Sequence, residues 1–151
     1  MATPQRLLSE IEGCLDRFDA ASVRAGERLA CSQRVRALAS RMTALSAALL
    51  AEADAASESL REAGTPTTSW LTTRGGLSKR EAAGVLHQAR ELRQRPAVGE
   101  AAMAGEISVT QARTIGRVLD GLTGLSEAQT ARAEQFMVSL AERQDCDQLA
   151  K

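Results

Sequence analysis

Three helix-start signals of the same kind constrain the fold of this chain more than any other feature. In each, a serine is followed three positions later by Glu or Gln. This is the spacing of a capping box, in which the serine hydroxyl accepts a backbone N–H and the longer side chain accepts the N–H of the serine itself. The three pairs are Ser78 with Glu81, Ser108 with Gln111, and Ser126 with Gln129. Each pair predicts a helix that begins directly after its serine.

Apolar residues continue a helical pattern after the first two signals. The helix that begins after Ser78 is predicted to bury Ala82, Val85, Leu86, Ala89 and Leu92, which recur at steps of three and four. The helix that begins after Ser108 is predicted to bury Ala112, Ile115, Leu119 and Leu122. Between them a short helix is expected from about Pro96 to Ala104, closed by Gly105 in the left-handed conformation. Two helices joined through Gly-Glu-Ile-Ser have the outline of a helix-turn-helix. The register departs by one residue from the DNA-binding form, because Glu106 separates Gly105 from the apolar Ile107.

The N-terminal part predicts two further helices. The first runs from Pro4 to Phe18, with Leu7, Leu8, Ile11, Leu15 and Phe18 on one side and Cys14 expected in the core. The segment from about Ser22 to Glu62 has no proline and only one glycine, so it is predicted to form one very long helix.

A seam of large apolar residues runs along that long helix. It consists of Val35, Leu38, Met42, Leu45 and Leu49, at the alternating steps of a heptad. About 40 residues of helix would extend roughly 60 Å, more than a domain of this size covers. We therefore expect the seam to pair with the first helix folded back, or with the same helix of a second subunit as a dimerisation surface. Arginines dominate its first half and acids its second, so an antiparallel pairing would match them, although a solvated face without a partner is equally open.

Composition supports an all-α fold, because only 2% of the 151 residues are aromatic and little is available for strands. We expect a long helix or helical hairpin (residues 1–64) packed on a bundle of shorter helices (65–151) within one domain. Pro66 and the threonines after it should start a short helix in which Trp70 is a packing anchor. A helix after Ser126 should bury Ala133, Phe136, Met137 and Leu140, and Asp147 should cap one more.

The sequence lacks the motifs of common catalytic, cofactor-binding and metal-binding sites. The formal net charge is zero, the chain has a single histidine, and its three cysteines stand apart from one another. No phosphate-binding loop, nucleophile motif or metal-ligand spacing is present, which predicts a protein that is not an enzyme and needs no cofactor. The absence of an apolar span and a signal peptide predicts a reduced, cytoplasmic protein without a membrane or small-molecule partner.

Local charge suggests one binding surface. Between Arg74 and Arg95 six basic residues stand against two acids, and such a patch can follow a phosphate backbone. Candidate DNA-binding residues in the helix predicted after Ser78 are Lys79, Arg80, His87, Arg90 and Arg93. In the helix predicted after Ser108 they are Thr110, Gln111, Arg113 and Arg117. Gln111 and Arg113 would read bases, and Arg80 and Arg90 would position the duplex. Glu106 opposes this interpretation, and an ordinary solvated surface is the alternative.

A resemblance accompanies these motifs. Several motifs of the second half stand in the order typical of one family. They are Ser69-Trp70-Leu71, Leu77-Ser78 with Glu81-Ala82, the series Ala89, Leu92, Pro96, Val98 and Ala101, and Gly105-Glu106-Ile107-Ser108 with Gln111-Ala112 and Ile115. The chain resembles domain of unknown function 222, the N-terminal part of actinobacterial 13E12-repeat proteins, over roughly residues 35–150. The resemblance implies an HNH nuclease-like domain towards the C-terminus of longer members, and the residues of such a centre are missing here.

Two functions are therefore expected. The first is a non-catalytic N-terminal domain that binds double-stranded DNA as a homodimer and positions a nuclease. The second is an oligomerisation or protein-interaction scaffold that does not touch DNA. A basic surface in the second half of the chain favours the first function, and an exposed apolar stripe on the long helix favours the second.

Overall fold

The computed structural model describes all 151 residues and confirms the all-α prediction, since it contains nine α-helices and no strand. The helices are α1 (Pro4–Arg17), α2 (Arg28–Ala55), α3 (Glu58–Ala63), α4 (Thr67–Thr73), α5 (Lys79–Gln94), α6 (Pro96–Ala104), α7 (Val109–Asp120), α8 (Glu127–Ala141) and α9 (Cys146–Leu149). The chain divides into two compact units, Met1–Arg36 and Ala37–Lys151, whose boundary lies within α2. None of the helices combines the length and the apolar character that crossing a membrane requires.

All three predicted capping boxes are present, at the starts of α5, α7 and α8. A fourth lies at the start of α9, where Asp145 and Gln148 form the box. The prediction of Asp147 as that cap was therefore wrong by two residues. Pro96 begins α6 and Gly105 ends it with a φ of 83°, as the sequence predicted.

The long helix is shorter than predicted. α2 has 28 residues, and the chain leaves it near Ser57, which adopts a left-handed φ of 54°. A polar cluster fixes this turn: the Thr67 hydroxyl donates to Asp54 Oδ1 at 2.7 Å and lies 3.2 Å from the Ser59 hydroxyl. Because Thr67 is engaged with Asp54, it does not cap α4, whose start at Pro66 has no side-chain cap.

Alanine forms much of the core of the second unit. Nine of its twenty buried hydrophobic residues are alanines, and the largest fully buried side chains are Ile115 and Val98. The buried residues of α2 are Ala44, Ala47 and Ala51, and its partly buried Leu50 also packs against this core. Small side chains let helix backbones approach closely, so the helices of this bundle can pack without large residues between them.

None of the three aromatic side chains is buried, contrary to two predictions. Trp70 is 38% exposed and is not the expected packing anchor, because the neighbouring Leu71 takes the buried position in α4. Phe136 is 63% exposed, while Met137 and Val138 form the buried side of α8.

Other predicted core positions are also exposed. α1 has no buried residue, so Leu7, Leu8, Ile11, Leu15 and Phe18 are exposed together with Cys14. In the second unit Val85 and Leu122 are exposed, since the buried face of α5 is carried by smaller residues beside Leu86 and Leu92, and α7 ends before Leu122.

α2 holds the turn between α6 and α7 from both sides. Arg41 Nε donates to the Met103 carbonyl at 3.0 Å, and the Ser40 hydroxyl accepts the Val109 N–H at 2.9 Å. At Gly105 a Cβ would lie 2.8 Å from the Arg41 Cδ atom. Glycine is therefore favoured there for its positive φ and for the passage of the arginine side chain.

A buried carboxylate caps α6. Arg95, at the start of this helix, provides no side-chain cap. Instead Glu134 of α8, only 7% exposed, accepts the Val98 N–H at 3.1 Å. A negative charge at a helix N-terminus is favourable, and here it joins α8 to α6.

Candidate nucleic-acid interface

The predicted basic stripe of α5 is divided in the structure. Lys79, Arg80 and His87 are exposed, and none of the three has an acidic partner within ion-pair distance. Arg90 and Arg93 are each paired with an acid of α2. Only the first part of the stripe therefore presents unpaired positive charge.

Arg90 forms a two-point contact with Asp54. Its Nε and Nη2 atoms donate to Oδ2 at 2.8 Å and Oδ1 at 3.2 Å, the fork geometry that suits a carboxylate. Hydrogen bonding from Arg90 lowers the pKa of Asp54 below its usual value despite some desolvation, and the same bond raises the pKa of Arg90. Arg90 thus joins α5 to α2 and is not free to position a duplex.

Arg93 makes a simpler contact. Its Nε lies 3.0 Å from Glu52 Oε1, and both side chains are more than half exposed. Exposed pairs of this kind contribute little to stability and are easily exchanged for other partners. The charge of Arg93 is nevertheless offset by Glu52 in this structure.

The exposed side of α7 carries three of its four predicted residues. Thr110, Arg113 and Arg117 are exposed and follow one another at helical spacing. No acid pairs with either arginine: Arg113 Nη2 donates to Gln88 Oε1 at 3.3 Å, and Arg117 Nη2 to Thr114 Oγ1 at 3.4 Å. These contacts are with neutral groups, so both guanidinium charges remain available to an anion.

Gln111 lies apart from this stripe. Its amide nitrogen donates to the carbonyls of Ala141 and Gln144, at 2.6 and 2.9 Å, and its oxygen accepts the Ser108 N–H. Since donor and acceptor are both satisfied inside the fold, Gln111 is not available as a base reader in this structure. It joins the end of α8 to the start of α7.

A groove of about 300 Å³ lies between α5 and α7. Two cross-contacts, Gln88 with Arg113 and Arg95 with Asp120, each join residues 25 positions apart, so the two helices run in the same direction. Gly84 and Gly116 keep the groove open, since neither carries a side chain. His87, Arg113 and Arg117 line it without acidic partners.

One end of the groove is closed by a charge network. Arg95 donates to Glu91 from Nη1 at 2.9 Å and to Asp120 from Nη2. The groove lining contains three arginines, Arg95 among them, and two acids, Glu91 and Asp120, so its net charge is plus one with His87 neutral. The positive potential lies toward the other end, where Arg113 is located.

An unsatisfied donor lies in the groove wall. The Gln88 amide nitrogen is buried without an acceptor, although its oxygen accepts a bond from Arg113. Buried polar groups without partners are uncommon and destabilising. An acceptor that entered the groove and met Gln88 would remove this deficit.

The five seam residues predicted for dimerisation, Val35, Leu38, Met42, Leu45 and Leu49, are all exposed. No group of three or more His, Cys, Asp or Glu side chains is placed to hold a metal ion. The roles of Arg95, Gln88 and Gly116 were not predicted from the sequence, because each depends on the register between α5 and α7. The only local signal for the groove was Gly116, a glycine within an amphipathic helix.

Comparison with known proteins gives one result. A family profile described as "Domain of unknown function (DUF222)" matches residues 29–151. Neither the curated proteins nor the solved structures include a significant match to the chain. The matched region covers α2 through α9, including the groove and the turn between α6 and α7. The chain therefore belongs to the DUF222 family.

Proposed function

We propose that this domain binds double-stranded DNA through the exposed side of α7 and the adjoining part of α5. In this proposal it is the non-catalytic N-terminal domain of a cytoplasmic HNH-nuclease-like protein, and it positions the nuclease on its substrate. The α6–turn–α7 segment would act as a helix-turn-helix-like unit.

The observation that carries the proposal is the separation of paired from unpaired arginines. Arg90, Arg93 and Arg95 are offset by carboxylates, whereas Arg113 and Arg117 contact only neutral groups. An arginine that is not engaged with an acid can donate two parallel hydrogen bonds to a phosphate or to a guanine edge. Among the arginines from Arg90 to Arg117, only the two on the exposed stripe of α7 therefore lack an acidic partner.

Neighbouring groups support the same surface. Lys79 and Arg80 in the first turn of α5 add two exposed positive charges, and His87 lies on the groove side of that helix. Thr110 extends the α7 stripe with a hydroxyl that can donate to or accept from nucleic acid. Gln111 does not read bases in this proposal because its amide is already hydrogen-bonded inside the fold, and Arg113 and Arg117 make the phosphate contacts.

The turn would fix the orientation of α7. Ser40 and Arg41 hold the turn from α2, and the capping box at Ser108 sets the start of the helix. A helix held at its N-terminus by several hydrogen bonds presents its side chains with little loss of freedom on binding. Glu106 is exposed at the same turn, and it would disfavour a close approach of phosphate at that point.

Fluorescence anisotropy against a mixed-sequence duplex over a salt series tests the proposal. For Arg113→Ala/Arg117→Ala we expect weaker binding and a log–log salt slope smaller by about two, because two phosphate contacts are removed. Arg93→Ala/Arg132→Ala is the charge-matched control: it also removes two exposed arginines, one paired with Glu52 and the other on α8.

The control should retain most of the wild-type slope. Equal losses in the two double variants would mean that binding follows total charge and not the α7 stripe. No binding of the wild type at low salt would refute the DNA proposal for this chain.

A second candidate function is a protein-interaction scaffold. It is favoured by α1, an amphipathic helix whose large apolar side chains are all exposed. The anisotropy experiment separates the two functions, since a scaffold that does not touch DNA would show no salt-dependent binding and no effect of Arg113 or Arg117.

A further inference from the structure

α2 has two opposite apolar sides, and they differ in the size of their residues. Ala44, Ala47 and Ala51 are buried against the other helices of the second unit. Each follows a large exposed residue by two positions, and two positions correspond to about 200° around an α-helix. The large residues therefore point away from the core while alanines fill it.

The exposed side is the apolar seam of Val35, Leu38, Met42, Leu45 and Leu49. Their exposed fractions range from 38% to 63%. They lie on one uninterrupted helix, and Cys31 precedes them and Glu52 follows them at the same heptad spacing. Monomeric proteins rarely leave a continuous stripe of large aliphatic residues in water.

We propose that the apolar seam pairs with the same seam of a second copy of this chain, in an antiparallel arrangement with the twofold axis level with Ser40. This self-association is independent of DNA, so it extends the proposed function without resting on it.

The area of the seam suits such a partner. Five aliphatic side chains at these exposures leave on the order of 450 Å² of apolar surface per copy, more than half of the roughly 800 Å² that each partner of a stable complex buries. The alkyl stem of Arg34, together with Ala39, Ser46 and Ala53, flanks the seam and can supply the remainder. A second identical seam also matches its own length and heptad spacing.

The direction follows from charge and register. Arg28, Arg34, Arg36 and Arg41 lie in the first half of α2, and its residues after Arg41 include no basic side chain. Arg28 and Arg34 lie next to the seam by helical position, and a parallel pair would bring each of them close to its own copy, which is unfavourable. An antiparallel pair with its axis level with Ser40 instead places Arg28 opposite Glu52 and Arg34 opposite Ser46. It places Cys31 opposite Leu49, Val35 opposite Leu45, and Leu38 opposite Met42.

Light scattering coupled to size exclusion tests the association. The wild type should have twice the 16.0 kDa mass of one chain. Leu38→Glu/Leu45→Glu should weaken the dimer by about a hundredfold or more, because each change introduces charge into a buried apolar layer. Leu122→Glu is the matched control, since Leu122 is similarly exposed but lies outside the seam.

Circular dichroism should show unchanged helix content in all variants, because none of these leucines is buried in the single chain. A monomeric wild type at high micromolar concentration would overturn the proposal. So would a dimer that Leu38→Glu/Leu45→Glu leaves intact.

Disulfide trapping tests the direction. In a Cys14→Ser/Cys146→Ser background only Cys31 remains, and a parallel pair would place it beside its own copy. The antiparallel register predicts no covalent dimer from Cys31 alone, and an efficient one after Leu49→Cys is added. Removing Cys31 from that variant should abolish the crosslink. A covalent dimer through Cys31 alone would overturn the antiparallel arrangement.

Discussion

Replacing Glu134 should destabilise the second unit more than replacing any exposed acid, because its carboxylate caps α6 from a buried position. Glu134→Ala removes a charged acceptor from the Val98 N–H, and Val98 itself is only 1% exposed. A hydrogen bond to a charged group contributes about 1.5–3 kcal/mol, and the N–H is then left buried without an acceptor. We expect a loss of about 2–4 kcal/mol from the free energy of unfolding.

Glu134→Gln separates the two parts of this effect. The glutamine oxygen can still accept the Val98 N–H, so only the attraction between the carboxylate and the helix N-terminus is lost. That attraction is about 0.3–2 kcal/mol, and we expect a loss near 1 kcal/mol. Glu100→Ala is the control: it removes an exposed acid from α6 and should change stability by less than about 0.5 kcal/mol.

Urea unfolding followed by circular dichroism measures these differences, at one fixed protein concentration so that self-association does not contribute. Equal midpoints for Glu134→Ala and Glu100→Ala would refute the cap. A loss in Glu134→Gln as large as that in Glu134→Ala would show that charge, and not the hydrogen bond, is what matters.

Two further predictions concern the second unit. Hydrogen bonding from Arg90 lowers the pKa of Asp54 in the folded protein. The ionised Asp54 therefore stabilises the fold fully above about pH 4, its pKa in the unfolded chain, and this stabilisation is lost as the pH falls through the folded-state pKa. The stability difference between wild type and Asp54→Asn, from urea unfolding between about pH 6 and pH 2.5, should therefore shrink on acidification, and a constant difference would contradict the ion pair. Gly105→Ala should cost about 1–3 kcal/mol, more than Gly76→Ala, because both residues have positive φ but only Gly105 has an arginine side chain against it; equal losses in thermal or urea unfolding would exclude a role for that contact.

The helix starts were predictable because a capping box is local. Ser78 and Glu81, three residues apart, satisfy each other's backbone N–H groups whatever the rest of the chain does. Pro96 and Gly105 act in the same local way, through a fixed φ and a tolerated positive φ. These signals placed α5, α6, α7 and α8 close to their observed bounds.

Burial was less predictable, because periodicity identifies an apolar face but not its partner. The large residues of α2 have a clear heptad spacing, yet the side buried within the chain is the alanine side. Phe136 and Met137 are neighbours in an apolar stretch, and only the packing of α8 decides that Met137 is the buried one. Alanine gives a weak signal in a sequence where it is frequent.

The candidate site depended on contacts between distant residues. Nothing near Arg90 or Arg93 in the sequence indicates that acids of α2 offset them, since those acids lie 36 and 41 positions away. The helical spacing of Gln111 predicts an exposed amide, but in the structure that amide donates to the carbonyls of Ala141 and Gln144 at the end of α8. Arg113 has no acid three or four positions away, which the sequence could indicate. Asp120 does follow Arg117 at ion-pair spacing, but Arg95 of α5 pairs with it, so Arg117 is left without an acidic partner for a reason the sequence does not show.

The alanine-rich core also determines which substitutions the domain can accept. Truncating a core residue to alanine is the usual way to destabilise a protein, but at positions such as Ala82, Ala89 and Ala102, which are fully buried, there is little left to remove. The harmful changes there are enlargements, because an added methylene must push whole helices apart in a closely packed interior. Genetic variation at these sites should therefore be limited to glycine and serine, and random mutagenesis should find its most damaging variants among alanines replaced by valine or larger residues.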